Sequence, residues 1–200
     1  RDLFAREVGK IGIDNSKLIV AYDTLGLYSA ARVWWLFRLY GYDNVVVLDG
    51  GMKAWKLENR PVESGEINLP SRTFVPGQVR TEALVRWPDV LDASKRKHQI
   101  LDARTRGRWA GTEVDRYPGA RPGHIPNSLN LYWADLLDSE TRRFLPREQI
   151  RDRYTAAGIE LDKPVVLSCG SGLTACILAL GLHSIGNDNW SVYDGSWDEW

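Results

Sequence analysis

Short runs of apolar residues alternate with longer amphipathic segments along most of the chain. Four runs have the length of buried strands and lie at 17–23, 45–48, 99–103 and 165–167. Three segments instead repeat apolar residues every three or four positions, as helices do, at 29–40, 145–158 and 174–184. Because strands and helices alternate, the pattern predicts an α/β fold with mainly parallel sheets.

Glycine and proline mark the ends of these segments. Gly41 and Gly186 follow two of the helical segments, where a left-handed C-terminal cap is expected. The pattern from Thr81 to Leu91 predicts a further helix that is interrupted at Pro88. Prolines and glycines between residues 57 and 80 break any regular element, so this stretch is predicted to contain a linker.

The chain repeats itself. Residues 45–55 and 190–200 each contain an apolar strand, then Asp-Gly, then a spacer and a Trp. Upstream, the strand that ends at Asp23 matches the strand that ends at Cys169, and each is followed by a glycine-containing turn and a helical pattern. The chain is therefore predicted to hold two copies of one α/β unit, of which the first lacks its beginning. Within each copy, strand, helix and strand predict parallel pairing with a right-handed crossover.

Charge and cysteine content exclude several classes of protein. The 26 Lys and Arg balance the 26 Asp and Glu, which argues against binding nucleic acids through bulk positive charge. No apolar run approaches the roughly 20 residues that span a bilayer, so no membrane partner is expected. The two cysteines are too few for a disulfide framework and indicate free thiols in a reducing, cytoplasmic setting. An excess of arginine between Arg104 and Arg121 is compatible with a local pocket for a small anion.

One loop, Cys169-Gly-Ser-Gly-Leu-Thr174, concentrates the chemistry. A buried strand delivers Cys169 to its carboxyl end, where open α/β sheets bind ligands. Gly170 and Gly172 allow backbone N–H groups to turn inward around an anion, and the helix that follows adds its positive dipole end. The thiol is expected to lose its proton more readily than a free cysteine and to act as a nucleophile. The alternative, a structural cysteine beside a turn, does not explain why these features converge.

The loop resembles the active-site loop of the rhodanese superfamily, and most closely that of its 3-mercaptopyruvate sulfurtransferase branch, which reads Cys-Gly-Ser-Gly-Val-Thr-Ala. Thiosulfate-preferring rhodaneses typically carry basic residues just after the cysteine, where this chain has Gly170 and Ser171. Further matches extend the resemblance over almost the whole chain: Leu101-Asp-Ala-Arg104, Gly107-Arg-Trp109, Gly111-Thr-Glu113, Pro122-Gly-His-Ile-Pro126 and both Asp-Gly repeats.

The resemblance implies a fold and a division of the chain. It implies two tandem rhodanese-like units, each a mainly parallel sheet flanked by helices, with the first unit truncated at its N-terminus. On this basis residues 1–60 are expected to be the C-terminal part of a non-catalytic unit. Residues 61–80 are expected to be a linker, and residues 81–200 the catalytic unit.

The resemblance also implies a role for each residue of the loop. Cys169 matches the nucleophile that carries sulfur as a persulfide. Ser171 matches a loop serine that polarises the substrate or relays a proton. The remaining loop residues expected to contact the substrate are Gly170, Gly172, Leu173 and Thr174. Thr174 is also a candidate cap for the following helix.

Two arginines are implied for binding the donor. Arg108 matches an arginine that binds the anionic donor, a role that suits the pairing of a guanidinium with a carboxylate. The second substrate arginine of the family aligns with Tyr117, so the neighbouring Arg116 is taken in its place. Arg121 is a further candidate.

Several other residues are interpreted as structural. Arg104 is expected to pair with Asp102, and His124 is expected to hold a turn rather than act as a base. Cys176 lies inside a predicted helix and is interpreted as a small buried residue, with a regulatory disulfide to Cys169 as the alternative. Asp23 replaces the cysteine in the first copy, which is therefore expected to be catalytically silent. Among the nine tryptophans, those considered for contact with the substrate cleft are Trp109 and Trp197.

The reaction implied is a double displacement through a Cys169 persulfide. The donor is a small anion, 3-mercaptopyruvate or thiosulfate, and the acceptor is cyanide or a thiol such as thioredoxin. No metal or organic cofactor and no nucleic acid is expected. Two rival classes of protein are disfavoured. A cysteine phosphatase would need an arginine that this loop lacks, and a non-catalytic binding module usually lacks the cysteine.

Overall fold

The computed structural model describes residues 1–114 and 119–200, and the chain begins with a small α/β unit. Its strands, β1 (Ile19–Ala21) and β2 (Val45–Val47), pair in parallel with Ile19 beside Val45. Three helices accompany them: α1 (Asp2–Lys10), α2 (Ala30–Leu39) and α3 (Gly51–Leu57). Helix α2 connects the two strands, since parallel neighbours need a crossover. The helix predicted at 29–40 is confirmed, whereas the apolar pattern did not predict α1 or α3.

A larger unit follows, built on a five-stranded parallel sheet. Its strands are β3 (Leu84–Val85), β4 (Gln99–Asp102), β5 (Leu129–Asn130), β6 (Val165–Ser168) and β7 (Trp190–Tyr193). They lie in the order β3-β7-β6-β4-β5, so β6 is central and β4 and β7 flank it. The helices are α4 (Trp87–Lys95), α5 (Arg106–Ala110), α6 (Arg147–Ala156), α7 (Ala175–Ser184) and α8 (Ser196–Glu199). The α/β class with mainly parallel sheets is confirmed.

Helix α7 forms the centre of the molecule. Every residue from Ala175 to Leu182 is buried, because the helix packs between the sheet, α6 and helix α2 of the first unit. On the α2 side, Trp34 and Trp35 are both buried, and the Trp34 ring lies 5.9 Å from that of Trp190. The two units therefore share one apolar core, and the loop that precedes α7 starts from a rigid base.

The helix predicted from Thr81 to Leu91 is wrong in its detail. The structure has a 3₁₀ turn at Thr81–Ala83, then strand β3, and then α4 beginning at Trp87. Pro88 does not interrupt a helix; it lies in the first turn of one, where its missing N–H has no intrahelical partner to lose. The Arg86 N–H bonds the Asp89 carboxylate and caps this start.

The predicted linker at 61–80 contains no helix or strand, but it follows the surface of the first unit closely. The Arg72 N–H donates to the Gly9 carbonyl, and the Arg80 N–H donates to the Leu39 carbonyl, both at 2.8 Å. Between them, the buried Phe74 packs among the aromatic rings of the first unit. The segment is thus part of the packed structure, and the unit boundaries at 60 and 81 stay a prediction.

Two smaller expectations concern helix ends and membrane spans. Gly41 and Gly186 adopt φ values of 75° and 83°, so the predicted left-handed positions after α2 and α7 are confirmed. Among the described residues, no helix has the length and apolar character needed to cross a membrane.

Candidate active site

Cys169 lies at the carboxyl end of β6, at the bottom of a cleft between the two units. Its side chain is 2% exposed, and α7 begins six residues later. From the catalytic loop, defined as residues 169–174, Cys169, Gly170, Ser171, Leu173 and Thr174 line the cleft. Gly172 does not line it; it packs underneath with φ 75°. The structure thus brings the predicted loop residues together around the thiol, apart from Gly172.

A serine that the sequence pattern did not single out organises this loop. The Ser196 hydroxyl accepts the N–H groups of Cys169 and Gly172, both at 3.0 Å, and donates to the Tyr193 carbonyl. Its oxygen lies 3.8 Å from Cys169 Sγ. Ser196 adopts φ 52°, a left-handed conformation that is costly for a residue with a side chain. The signal was present in the repeat, because Ser196 occupies the place that Gly51, also at φ 53°, has in the first copy.

Helix α8 fixes the rest of the loop from below. The Trp197 N–H donates to the Cys169 carbonyl and the Asp198 N–H donates to the Gly170 carbonyl, both at 3.0 Å. Two loop carbonyls are therefore held away from the cleft. With these two carbonyls engaged by α8, they do not compete with an anion bound above the loop.

Arg108 reaches the same cleft from α5. Thr105 caps this helix by accepting the Arg108 N–H, and Glu113 lies 3.3 Å from Arg108 Nε. That contact lacks the geometry of a hydrogen bond, so the buried Nε has no hydrogen-bond partner within residues 1–114 and 119–200. A partly buried guanidinium whose buried Nε has unused donor capacity suits an anionic ligand that accepts hydrogen bonds.

The other arginine predictions have different outcomes. Arg116 and Tyr117 lie outside the described residues. Arg121 does not line the Cys169 cleft; it borders a separate pocket beside Trp197, whose indole N–H donates to the Arg121 carbonyl. Arg121 is therefore wrong as a donor-binding candidate.

The interpretation of Arg104 and His124 as structural agrees with their contacts. Arg104 forms a buried ion pair with Asp102 at 2.8 Å and also donates to the Gly123 carbonyl. Burial raises the pKa of the Asp102 carboxyl, although Arg104 acts in the opposite direction. His124 Nδ1 lies 2.8 Å from the Trp109 carbonyl, and the two rings stack at 4.1 Å.

The two tryptophans considered for contact with the cleft do not line it. Trp109 stacks on His124, and Trp197 lies under the Arg104 guanidinium at 4.9 Å. The cleft walls are instead Tyr132 and Trp133 of the larger unit and Tyr28 of the first. Tyr28 and Trp133 meet edge to face at 5.5 Å. Which aromatic ring faces the cleft depends on how the units pack, and nothing local in the sequence encodes it.

Two further loop predictions concern Thr174 and Cys176. Thr174 stands at the N-cap position of α7, but its side chain makes no capping hydrogen bond, so the predicted cap is wrong. Thr174 instead lines the cleft. Cys176 is fully buried and its thiol donates to the Gly172 carbonyl at 3.3 Å. Burial raises the pKa of the Cys176 thiol well above its usual value, which fits a structural residue.

The equivalent loop of the first copy is filled by its own carboxylate. Asp23 Oδ1 accepts the Leu25 N–H at 2.9 Å, and Oδ2 accepts the N–H groups of Ser29 and Ala30 at 2.7 and 2.9 Å. This turn between a strand and a helix therefore binds a negative group in one copy. In the second copy a cysteine stands at the same place.

Comparison with known proteins agrees with this architecture. The sequence model of the family described as rhodanese-like domain matches residues 1–58 and 88–200. The chain is 38% identical to thiosulfate/3-mercaptopyruvate sulfurtransferase 1, mitochondrial, of Arabidopsis thaliana, covering all of this chain and 58% of that protein. It is also 38% identical to human 3-mercaptopyruvate sulfurtransferase, covering 98% of this chain and 67% of that protein. Thus the chain spans about three fifths to two thirds of these curated relatives.

A solved structure shows the same fold. The crystal structure of SseA from Escherichia coli, a 3-mercaptopyruvate sulfotransferase with the rhodanese fold, superimposes with a TM-score of 0.85. The two sequences are 35% identical, and the match covers 98% of this chain and 72% of the other.

Proposed function

Because the chain belongs to the family of rhodanese-like domains, we propose that it is a sulfurtransferase that moves sulfur from 3-mercaptopyruvate to a thiol or cyanide through a persulfide on Cys169. One observation carries the proposal. A cysteine occupies, between β6 and α7, the turn whose counterpart in the first copy holds a carboxylate with three backbone N–H groups. The same turn suits the negative charge of a thiolate or a persulfide.

In the first half of the reaction the Cys169 thiolate attacks the sulfur of the donor. An S–S bond forms, and the bond between sulfur and the C3 carbon of mercaptopyruvate breaks. The thiol proton of the donor ends on that carbon, so pyruvate leaves and a Cys169 persulfide anion remains. Arg108 binds the donor carboxylate, and its buried Nε supplies a donor without a hydrogen-bond partner among the described residues. Ser171, at the cleft, is the candidate for relaying that proton.

In the second half an acceptor removes the outer sulfur. Its thiolate attacks that atom, the S–S bond to Cys169 breaks, and the cysteine returns as a thiolate ready for another donor. We propose a reducing, cytoplasmic setting for this half reaction, supported by the two free thiols, and a dithiol protein such as thioredoxin as one acceptor.

Thiosulfate is the alternative donor, with sulfite as the leaving group. The uncharged Gly170 and Ser171 after the nucleophile favour mercaptopyruvate, because thiosulfate carries two negative charges and gains more from a basic loop. The Arabidopsis relative bears both substrates in its name, so the same scaffold accommodates either donor there. A non-catalytic role is disfavoured because the cysteine, Arg108 and the loop are all in place.

The proposal is tested by sulfur loading and turnover. After exposure to 3-mercaptopyruvate, the intact mass of the wild type should rise by one sulfur atom, and cyanide should remove the added mass. Steady-state rates should be higher with mercaptopyruvate than with thiosulfate. Cys169→Ser should lose both the added mass and the turnover, because the attacking thiolate is gone.

Cys176→Ala serves as the matched control, since it removes the other thiol of the chain while the cleft keeps its nucleophile. It should load sulfur and turn over as the wild type does. Persulfide formation in Cys169→Ser, or its absence in both the wild type and Cys176→Ala, would refute the proposal. A faster reaction with thiosulfate than with mercaptopyruvate would refute the proposed donor but would support the same persulfide mechanism.

A further inference from the structure

The underside of the catalytic loop rests on an ion pair between the two units. Arg32 Nη1, on helix α2 of the first unit, lies 2.6 Å from Asp194 Oδ1, which follows β7 in the second. Gly172 packs directly on this pair. A Cβ atom at Gly172 would lie 2.5 Å from Asp194 Oδ1 and 2.9 Å from Arg32 Nη1. Gly172 therefore lies too close to Asp194 and Arg32 to carry a side chain.

Asp194 connects the ion pair to the nucleophile. It opens the turn Asp194-Gly-Ser196, and the Ser196 hydroxyl at the end of that turn accepts the N–H groups of Cys169 and Gly172. A carboxylate at this place would also repel a negative sulfur above the loop. Arg32 offsets that repulsion and fixes the turn at the same time.

The surroundings keep Arg32 charged and in place. Its side chain is 27% exposed, and the guanidinium lies 5.5 Å from the Trp35 ring centre. Burial alone would lower the pKa of Arg32, but the hydrogen bond with Asp194 and the charge of that carboxylate raise it overall. The cation thus persists at every pH at which the protein would be studied.

We propose that Arg32 is a positioning residue for Cys169: from the first unit, it neutralises Asp194 and holds the turn that supports the catalytic loop. This inference rests on the proposed function in one respect, that Cys169 is the residue that carries the sulfur. It assigns the first unit, whose own loop is filled by Asp23, a part in the reactivity of the second.

Other ionisable groups face the thiol from the remaining elements. On the cleft side these are Arg104, which Asp102 holds, Arg108, which lies beside Glu113, and Tyr28. Below the loop is the Cys176 thiol, which burial keeps protonated. Cys176 is itself coupled to Arg32, whose charge and hydrogen bond act to lower the pKa of that thiol, although burial raises it overall. Substituting Arg32 removes that lowering and so leaves Cys176 protonated, and a change in Cys169 reactivity reports on the ion pair.

The test is the pH dependence of Cys169 alkylation by iodoacetamide, followed by mass spectrometry, alongside sulfur transfer. In Arg32→Gln the unpaired Asp194 carboxylate should move the midpoint of the alkylation profile up by about one pH unit, which corresponds to about tenfold in the ionisation equilibrium. Sulfur transfer at pH 7 should fall by a similar factor in kcat, with KM little changed. Arg32→Lys should recover part of both effects.

Two further variants should shift the midpoint of the alkylation profile differently from Arg32→Gln. Asp194→Asn leaves the cation uncompensated and should move the midpoint down. Arg32→Gln combined with Asp194→Asn removes both charges and should return it toward the wild type. The control is Arg38→Gln on the same helix, where Arg38 pairs with Asp43 at 3.2 Å, away from the loop; it should leave the profile unchanged.

An unchanged midpoint in Arg32→Gln, an equal shift in Arg38→Gln, or no return in the double variant would overturn the proposal. If Arg32→Gln fails to fold, the downward shift in Asp194→Asn still decides the question. Alkylation does not require sulfur transfer, so a wild type without transferase activity would refute the proposed function while leaving this test intact.

Discussion

The turns after β1 and β6 follow similar paths and differ in what fills them. In the first, residues 23–29, the Asp23 carboxylate accepts three backbone N–H groups of its own loop. In the second, residues 169–174, a cysteine stands at the equivalent place and the loop faces a cleft. Equivalent turns between a strand and a helix therefore hold different groups in the two units. In the first turn a carboxylate of the chain itself takes the N–H groups, and in the proposed function the equivalent place in the second turn is left to a reacting sulfur.

The two turns also differ in how they are supported. The first is one residue longer before its helix, which begins at Ala30, and its supporting turn carries Gly51. The second is supported by Ser196, whose side chain supplies the acceptor that a glycine lacks. Each unit also reaches across to the other. Asp49 accepts the Phe144 N–H at 2.9 Å, as Asp194 pairs with Arg32.

The largest expected effect comes from copying the silent turn into the active one. Cys169→Asp should abolish persulfide formation, because a carboxylate cannot carry sulfane sulfur, yet the protein should stay folded, because the turn accepts a carboxylate. Intact mass after mercaptopyruvate and denaturant unfolding measure the two properties. The matched control is the neutral Cys169→Asn.

If the two turns are equivalent, Cys169→Asp should be more stable than Cys169→Asn at pH 7 by about 1 kcal/mol, the extra strength of charged hydrogen bonds. A less stable Asp variant would show that the second turn does not stabilise a negative group, and the comparison would fail.

An intermediate effect is expected at Ser196. Ser196→Ala leaves the buried N–H groups of Cys169 and Gly172 without their acceptor and keeps the left-handed strain, so unfolding free energy should fall by about 1–3 kcal/mol. Sulfur transfer should fall about tenfold as the loop loosens. Urea titration and steady-state kinetics give both values.

Ser196→Gly sharpens this result, because it copies Gly51 of the first copy. It loses the same hydrogen bonds but relieves the strain at φ 52°, so it should be more stable than Ser196→Ala by about 1 kcal/mol while being equally slow. Equal stability of the two variants would show that the strain is absent.

The smallest effect is expected in the silent turn itself. Asp23→Ala removes the acceptor for the N–H groups that precede and begin α2, and the unfolding free energy should fall by about 0.5–2 kcal/mol, as for a lost helix cap. Sulfur transfer under folding conditions should be unchanged. Asp23→Asn, which keeps one acceptor oxygen, should lose less. A large fall in activity at full folding would give the first turn a direct role.

Much of the fold was predictable because periodicity and breakers act locally. The helices at 29–40 and 174–184 and the strand before Cys169 follow from apolar spacing, and the structure has them within a residue or two. The interpretation of Pro88 was wrong because proline breaks the interior of a helix but is well tolerated in its first turn. Strand β3, which ends just before α4 begins, shows that Pro88 is in the first turn. Helix α1 was missed although its own sequence carries a helical pattern, with Phe4 and Val8 four residues apart on one face.

The residues of the candidate site likewise fall into those that a local sequence motif predicted and those that it did not. The nucleophile, its glycines and Arg108 were found as a linear motif that matches a family, and the structure places Cys169 and Arg108 at one cleft. Arg121, Trp109 and Trp197 were plausible by proximity in sequence but point elsewhere. The direction in which a side chain points is set by tertiary packing, and the distance between residues along the sequence does not predict it.

The sequence by itself determined the α/β class, and it predicted the repeat and the reacting cysteine, because each depends on residue types at short spacing. Only the tertiary structure decided that Ser196 supports the loop, that Tyr28 and Trp133 wall the cleft, and that Arg32 reaches Asp194 from the other unit. The Ser196 contacts form within the second unit, between residues 24 and 27 positions apart. The contact of Arg32 joins residues 162 positions apart and depends on the packing of α2 against α7 across the two units.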